Sequence, residues 1–149
     1  MVNVNEVPAD LLLNKLASEF KEKNVEIPDW THYLKDGIGR EKAWEEEDWY
    51  YTRLASVMRK ISLKNNIGIA RMSQEYGSRQ DRGTKKYHPV QGSRYIVRNV
   101  FHTLESMGYV KKDKTGRSLT PAGQSVLDIA AKNVMKELSE KDKVFEKYL

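Results

Sequence analysis

Cysteine is absent from the 149 residues. That excludes disulfides, thiolate metal centres and cysteine nucleophiles, and is compatible with a reducing compartment. Histidine is scarce, and His32, His88 and His102 fall in separate segments without metal-ligand spacing. No glycine-rich phosphate loop follows a strand pattern. Neither a catalytic residue nor a metal or other cofactor is therefore expected. The consecutive acids 45–48 precede a helix and do not converge on one point, so they read as capping and solvation. No apolar run approaches the ~18 residues of a membrane span. Residues 1–8 lack the basic n-region and apolar core of a signal peptide. A soluble cytoplasmic protein is the default expectation.

Acidic residues are also scarce in one stretch. Residues 1–69 hold 10 Lys/Arg and 12 Asp/Glu, and residues 118–149 hold 5 of each, whereas residues 70–117 hold 11 against 4. The net charge of +5 thus comes from a middle segment carrying +7, which points to an anionic partner.

What is present organises around the stretch 48–62. Trp49, Tyr50, Tyr51, Leu54, Ala55, Val57, Met58 and Ile61 recur at helical spacings, giving a helix apolar around most of its circumference and hence central. Asp48 is the expected N-cap. Thr52, Arg53, Ser56, Arg59 and Lys60 form its polar stripe, a ridge expected to reach the surface because unpaired buried charge is costly. These cations either pair with acids such as Glu45 and Glu47 or face phosphate, and the helix alone leaves both readings open.

Before it, Pro8 begins a helix with Leu12, Leu13, Leu16, Ala17 and Phe20 on one face. Trp30, Tyr33 and Leu34 are expected to pin the following extended segment to the core. After it, 67–69 reads as an extended bridge and 70–76 as a short helix closed by Gly77 in the left-handed C′ position. The stretch 77–89 is basic without apolar period, so it is expected to be an exposed loop. Ser93 caps a helix whose inner face is Ile96, Val97, Val100, Phe101, Leu104 and Met107. Arg94, Arg98 and His102 form its outward stripe at i, i+4, i+8. Two extended pieces around a polar turn make a hairpin over 109–119. Thr120 and Pro121 open the last helix, which is expected to bury Val126, Leu127, Ile129, Ala130, Val134 and Leu138. Phe145, Tyr148 and Leu149 suggest that the tail still packs.

This order predicts one mainly α domain over 1–149, a helical bundle around a central amphipathic helix with winged-helix topology. Residues 1–47 form an N-terminal helical extension, and the hairpin is the wing. The candidate nucleic-acid residues are Arg53, Arg59 and Lys60 on the central helix and Arg79, Arg82, Lys85 and Lys86 in the loop. Arg94 and Arg98 on the recognition helix and Lys111, Lys112 and Arg117 on the wing complete the set. Tyr76, Tyr87 and Tyr95 lie among them and could stack on bases; core packing is the stronger reading for Tyr76 and Tyr95. Trp49, Leu54, Met58, Phe101 and Leu104 are candidate core.

Several passages then carry a family resemblance. They include Ile27-Pro28-Asp29-Trp30, Asp48-Trp49-Tyr50-Tyr51-Thr52-Arg53, Tyr76-Gly77-Ser78-Arg79-Gln80, Gly116-Arg117-Ser118-Leu119-Thr120-Pro121-Ala122-Gly123 and Leu127-Asp128-Ile129-Ala130. In order and spacing the chain resembles the archaeal and eukaryotic type of small-subunit ribosomal protein nineteen. The resemblance implies a ribosome component in the cytoplasm, bound to ribosomal RNA in the small-subunit head and needed in late subunit maturation. It implies ribosomal RNA and neighbouring small-subunit proteins as partners, no membrane, and a monomer when free. By matching position, Arg53, Arg59, Arg79 and Arg98 belong to the family's basic surface, and Trp49 to its core. A winged-helix DNA-binding regulator is the alternative, and a protein–protein module using the aromatic N-terminal segment is a third reading.

Overall fold

The computed structural model of the chain describes residues 4–142 and 144–145. Five helices carry the fold: α1 (Ala9–Glu22), α2 (Trp49–Lys64), α3 (Ile69–Glu75), α4 (Arg94–Ser106) and α5 (Pro121–Lys141). A short 3-10 turn spans Asp29–His32. Four strands form two separate antiparallel ribbons. One is β1 (Ser78–Arg82) with β2 (Lys85–Val90), the other β3 (Val110–Lys112) with β4 (Arg117–Leu119). This is the mainly α fold with winged-helix element order that the sequence predicts, with one ribbon added between α3 and α4.

Helix α2 is central because its apolar residues leave no wide solvent face. All eight predicted positions are buried, Tyr50, Leu54, Met58 and Ile61 completely. Helix α1 lays Leu12, Leu16 and Phe20 on it and also meets α5. On α4, Ile96, Val97, Val100, Phe101 and Leu104 close the core from the other side. Burial of each large apolar side chain contributes about 1.5–3 kcal/mol relative to exposure, so this shared core dominates the fold. Trp49 stacks on Trp44 at 3.7 Å and 10°, and Trp30 meets Trp49, Tyr50 and Tyr95 at its edges. These contacts fasten the N-terminal extension to α2.

Most termini follow their local chemistry. Ser93 Oγ accepts from Ile96 N–H, and Thr120 Oγ1 accepts from Gly123 N–H while donating to Gly108 O. Asp48 departs from expectation. It occupies the N-cap position of α2 without capping it, and its carboxylate instead takes Lys21 Nζ of α1 at 2.5 Å. Ile67 bridges Arg117 as an isolated antiparallel pair, which ties the start of α3 to the wing.

Four further expectations are corrected. Gly77 is not left-handed: among the described residues only Asn24, Asn65, Gly83 and Gly108 have positive φ. Glycine is needed there for close approach, since a Cβ would lie 2.7 Å from Val90 O and 2.9 Å from Gln74 O. Tyr33 does not pin the extension, being 81% exposed. Ile129 points outward, and Ala131 and Met135 take the inner face of α5 instead. The basic stretch 77–89 is a hairpin rather than a loop. Phe145 packs against the core, whereas Tyr148 and Leu149 lie outside the described residues.

Candidate nucleic-acid interface

The added hairpin turns on chemistry rather than hydrophobicity. Arg82 pairs with Lys85 across Gly83-Thr84, and Gly83 has φ +69°. A positive φ at the first central residue of a two-residue loop is the type II′ arrangement that glycine allows. Asp81 accepts from the Gly83 N–H and steadies the turn. Between the pairs Gln80↔His88 and Arg82↔Lys85 the register shifts. One residue, Asp81, therefore stands opposite two, Lys86 and Tyr87, which is a β-bulge on β2. Residues 81–89 are all exposed, Tyr87 to 65%. A ribbon with neither face buried, rich in Lys and Arg, has little internal reason to be hydrophobic.

Helix α4 presents Arg94, Arg98 and His102 outward as its periodicity predicts. Arg94 Nη2 donates to Gln91 Oε1 at 3.0 Å, and His102 Nδ1 lies 3.5 Å from Glu105. Lys111, Lys112 and Lys114 are exposed on the wing.

The twelve predicted cations divide into two sets. Eight are exposed and make no ion pair among the described residues: Arg79, Arg82, Lys85, Lys86, Arg94, Arg98, Lys111 and Lys112. The other four are turned inward. Arg53 Nη1 sits 3.1 Å from Asp36 Oδ1, with the side chains 11% and 10% exposed. Neither atom has a well-aligned hydrogen bond, so the tie is Coulombic. The Arg53 guanidinium also lies over the Tyr76 ring at 3.9 Å and the Trp44 ring at 5.4 Å. Lys60 approaches Glu75 at 3.6 Å and also lies over the Tyr76 ring at 4.2 Å. Arg117 is 11% exposed, donates from Nε to Glu105 at 3.1 Å, and lies over Phe101 at 5.1 Å. Arg59 is half-buried, and its Nε is buried without a hydrogen-bond partner.

The ridge on α2 therefore does not reach the surface as an open stripe; residues of α3 and of the extension cover it. Its acid partners are Asp36 and Glu75, while Glu45 and Glu47 are exposed. Tyr76 is covered by these cations and hydrogen-bonds Ser56 at 2.8 Å, which fits the core reading. Tyr95 is 48% exposed, so the core reading holds for it only through its edge contact with Trp30.

Protonation follows the same geometry. A hydrogen bond from Lys64, aided by the charges of Lys64 and Lys60, holds the Glu75 carboxyl below its ordinary value. Burial pushes the Lys60 ammonium down, and Glu75 only partly offsets this. Glu75 is the more exposed and Lys64 is its tighter contact, so we assign the favourable tie to Lys64–Glu75 and the burial cost to Lys60. Burial also raises the Tyr76 phenol.

Arg71, exposed on α3 without an ion pair among the described residues, joins the open cations although its periodicity did not single it out. Its only signal was membership of the +7 segment. Among the described residues no three His, Asp or Glu are grouped to hold a metal, and no helix is long and apolar enough to cross a membrane.

Fold and charge together define a winged-helix domain with two basic ribbons and a basic outer stripe on α4. The family model described as ribosomal protein S19e matches residues 3–137. Relatives named small ribosomal subunit protein eS19 include one from Thermoplasma acidophilum, 50% identical over the whole of both chains. Others come from Aeropyrum pernix, 39% identical over the whole of both chains, and Emericella nidulans, 34% identical over 95% of this chain and 97% of its own. The chain belongs to the ribosomal protein S19e family.

Proposed function

We propose that this protein is a structural, non-enzymatic component of the small ribosomal subunit that binds ribosomal RNA in the subunit head and is needed late in subunit maturation. Its relatives carry the name of a small-subunit protein. The observation that supports RNA as the ligand is the division of the cations. Arg79, Arg82, Lys85, Lys86, Arg94, Arg98, Lys111 and Lys112 make no ion pair among the described residues, whereas Arg53, Lys60 and Arg117 face acids and Arg59 is half-buried. Phosphate contacts draw on exposed Lys and Arg that are free to release counterions. The contact set is accordingly the eight open cations with Arg71. Arg53, Arg59, Lys60 and Arg117 serve the fold. Free in solution the protein is a monomer, and in the subunit it meets neighbouring proteins as well as RNA.

The test is Arg79→Glu with Arg98→Glu. The double variant keeps the wild-type circular dichroism and melting temperature but fails to enter small subunits in cells that express it. Normal incorporation of the folded variant would sink the site. Capture of the tagged protein at moderate salt yields small-subunit RNA; recovery of discrete genomic DNA instead would support the regulator reading, which family membership does not favour.

A further inference from the structure

Beside the basic hairpin lies an open cleft of about 500 Å³, between the end of α3 and the base of β1–β2. Gly77, Pro89 and Val90 line it together with the polar Gln74, Ser78, Arg79 and Gln91. Its lining is held in place by the tight approach of Gly77 to Val90 O and Gln74 O. From α3 the chain passes directly into β1, and Gly92 N–H donates to Ser73 O at 2.9 Å, fixing the exit of β2 against α3. The cleft is therefore rigidly framed at its base.

Its polar groups are only partly used. Gln91 Oε1 accepts from Ser73 Oγ at 3.3 Å and from Arg94 Nη2 at 3.0 Å, which leaves the Gln91 amide N–H₂ without a partner among the described residues. The Gln74 amide and the Arg79 guanidinium make no side-chain hydrogen bond or ion pair there either. A planar ligand with a ring edge of donors and acceptors suits a cleft lined by apolar residues, two amides and a guanidinium. Unpaired bases are bound by hydrogen bonds to their exposed edges together with packing of the ring face, in which an Arg guanidinium can take part. The flanking cations Arg79 and Arg94 suit the phosphates on either side of such a base.

We infer that this cleft takes one unpaired nucleobase of the bound RNA, with Gln74 and Gln91 reading its edge and Arg79 holding the adjoining phosphate. This rests on the RNA-binding reading above and adds to it a site that discriminates unpaired from paired RNA.

The test compares two RNA hairpins, identical except that one carries a single bulged adenosine in its stem, titrated at one fixed salt concentration by fluorescence anisotropy. The wild-type protein binds the bulged hairpin about tenfold more tightly, which corresponds to about 1.4 kcal/mol. Gln74→Leu, a neutral change on an exposed helical position, lowers that preference severalfold while affinity for the paired hairpin stays the same. With 4-thiouridine at the bulge, photocrosslinking followed by peptide mapping recovers the segment 74–91. Equal wild-type affinity for the two hairpins, or a crosslink confined to another segment, overturns the cleft and leaves phosphate binding standing. Failure to bind either hairpin and small-subunit ribosomal RNA overturns both readings.

Discussion

Replacing Asp36 with alanine separates the two roles open to Arg53. In the fold, Asp36 and Arg53 face each other at 3.1 Å with both side chains close to nine-tenths hidden. Removing the carboxylate strands a guanidinium that cannot shed its proton. Breaking a buried pair in this way costs about 3–5 kcal/mol. A chain of this size loses roughly 2–4 °C of melting temperature per kcal/mol, so Asp36→Ala should melt about 6–20 °C lower. The fall is a large part of a total stability of about 5–15 kcal/mol. Arg53→Met should cost less, because the methionine keeps contact with the Tyr76 ring. Combining the two should recover most of the loss, since a buried pair replaced by apolar groups is often close to neutral. Thermal melts of the four proteins form a double-mutant cycle. If Asp36→Ala melts within about 2 °C of wild type while Arg53→Met keeps its stability and loses RNA, Arg53 is a phosphate ligand and the internal pairing is incidental.

Other outcomes follow from the same geometry. Trp49→Ala removes a nearly buried ring stacked on Trp44 and should cost about 3–5 kcal/mol; an unchanged melting temperature would contradict its core role. Glu75 has a folded pKa below its ordinary value of 4.5. Its stabilising contribution is thus complete above the unfolded value and is lost as pH falls through the lower folded one. The melting difference between wild type and Glu75→Gln should therefore be constant at neutral pH and shrink in the acid range below about pH 4.5; a difference that persists unchanged at pH 3 would refute the tie. Gly83→Val places a branched side chain at φ +69°, costing about 1–2 kcal/mol locally. Amide exchange in β1–β2 should quicken while α2 is unaffected, and equal protection of the hairpin in both proteins would argue against the turn assignment.

Helical periodicity exposed most of the architecture to sequence reasoning. The eight apolar positions of α2 and the outward Arg94 and Arg98 of α4 lie where a 3.6-residue repeat puts them, because one face of each helix must be dry. Periodicity fails where no face is dry. The β1–β2 ribbon is charged on both sides, so the alternation that reveals strands has nothing to act on, and only Gly83-Thr84 betrays its turn. Periodicity also identifies a polar stripe without saying what covers it. The stripe on α2 is met by Asp36, Glu75 and Tyr76, all supplied by segments distant in the chain or beyond a turn. Ile129 illustrates the same limit: it is apolar and near the inner arc of α5, yet Ala131 and Met135 fill the space first. The cleft at the hairpin base was invisible because it depends on how Gly77 packs against Val90.

Synthesis from the N-terminus makes the placement of α1 consequential. Its buried stripe of Leu12, Leu16 and Phe20 is made well before α5, which supplies part of its cover. Lys15 reaches Glu137 at 2.9 Å, joining residues 122 positions apart in the chain. A nascent chain that has completed α2 can shield one side of α1, but the other stays wet until α5 has been made. Exposed apolar surface on a growing chain is what chaperones bind and what aggregates. A product terminated before α5 therefore carries an α1 with part of its apolar stripe uncovered.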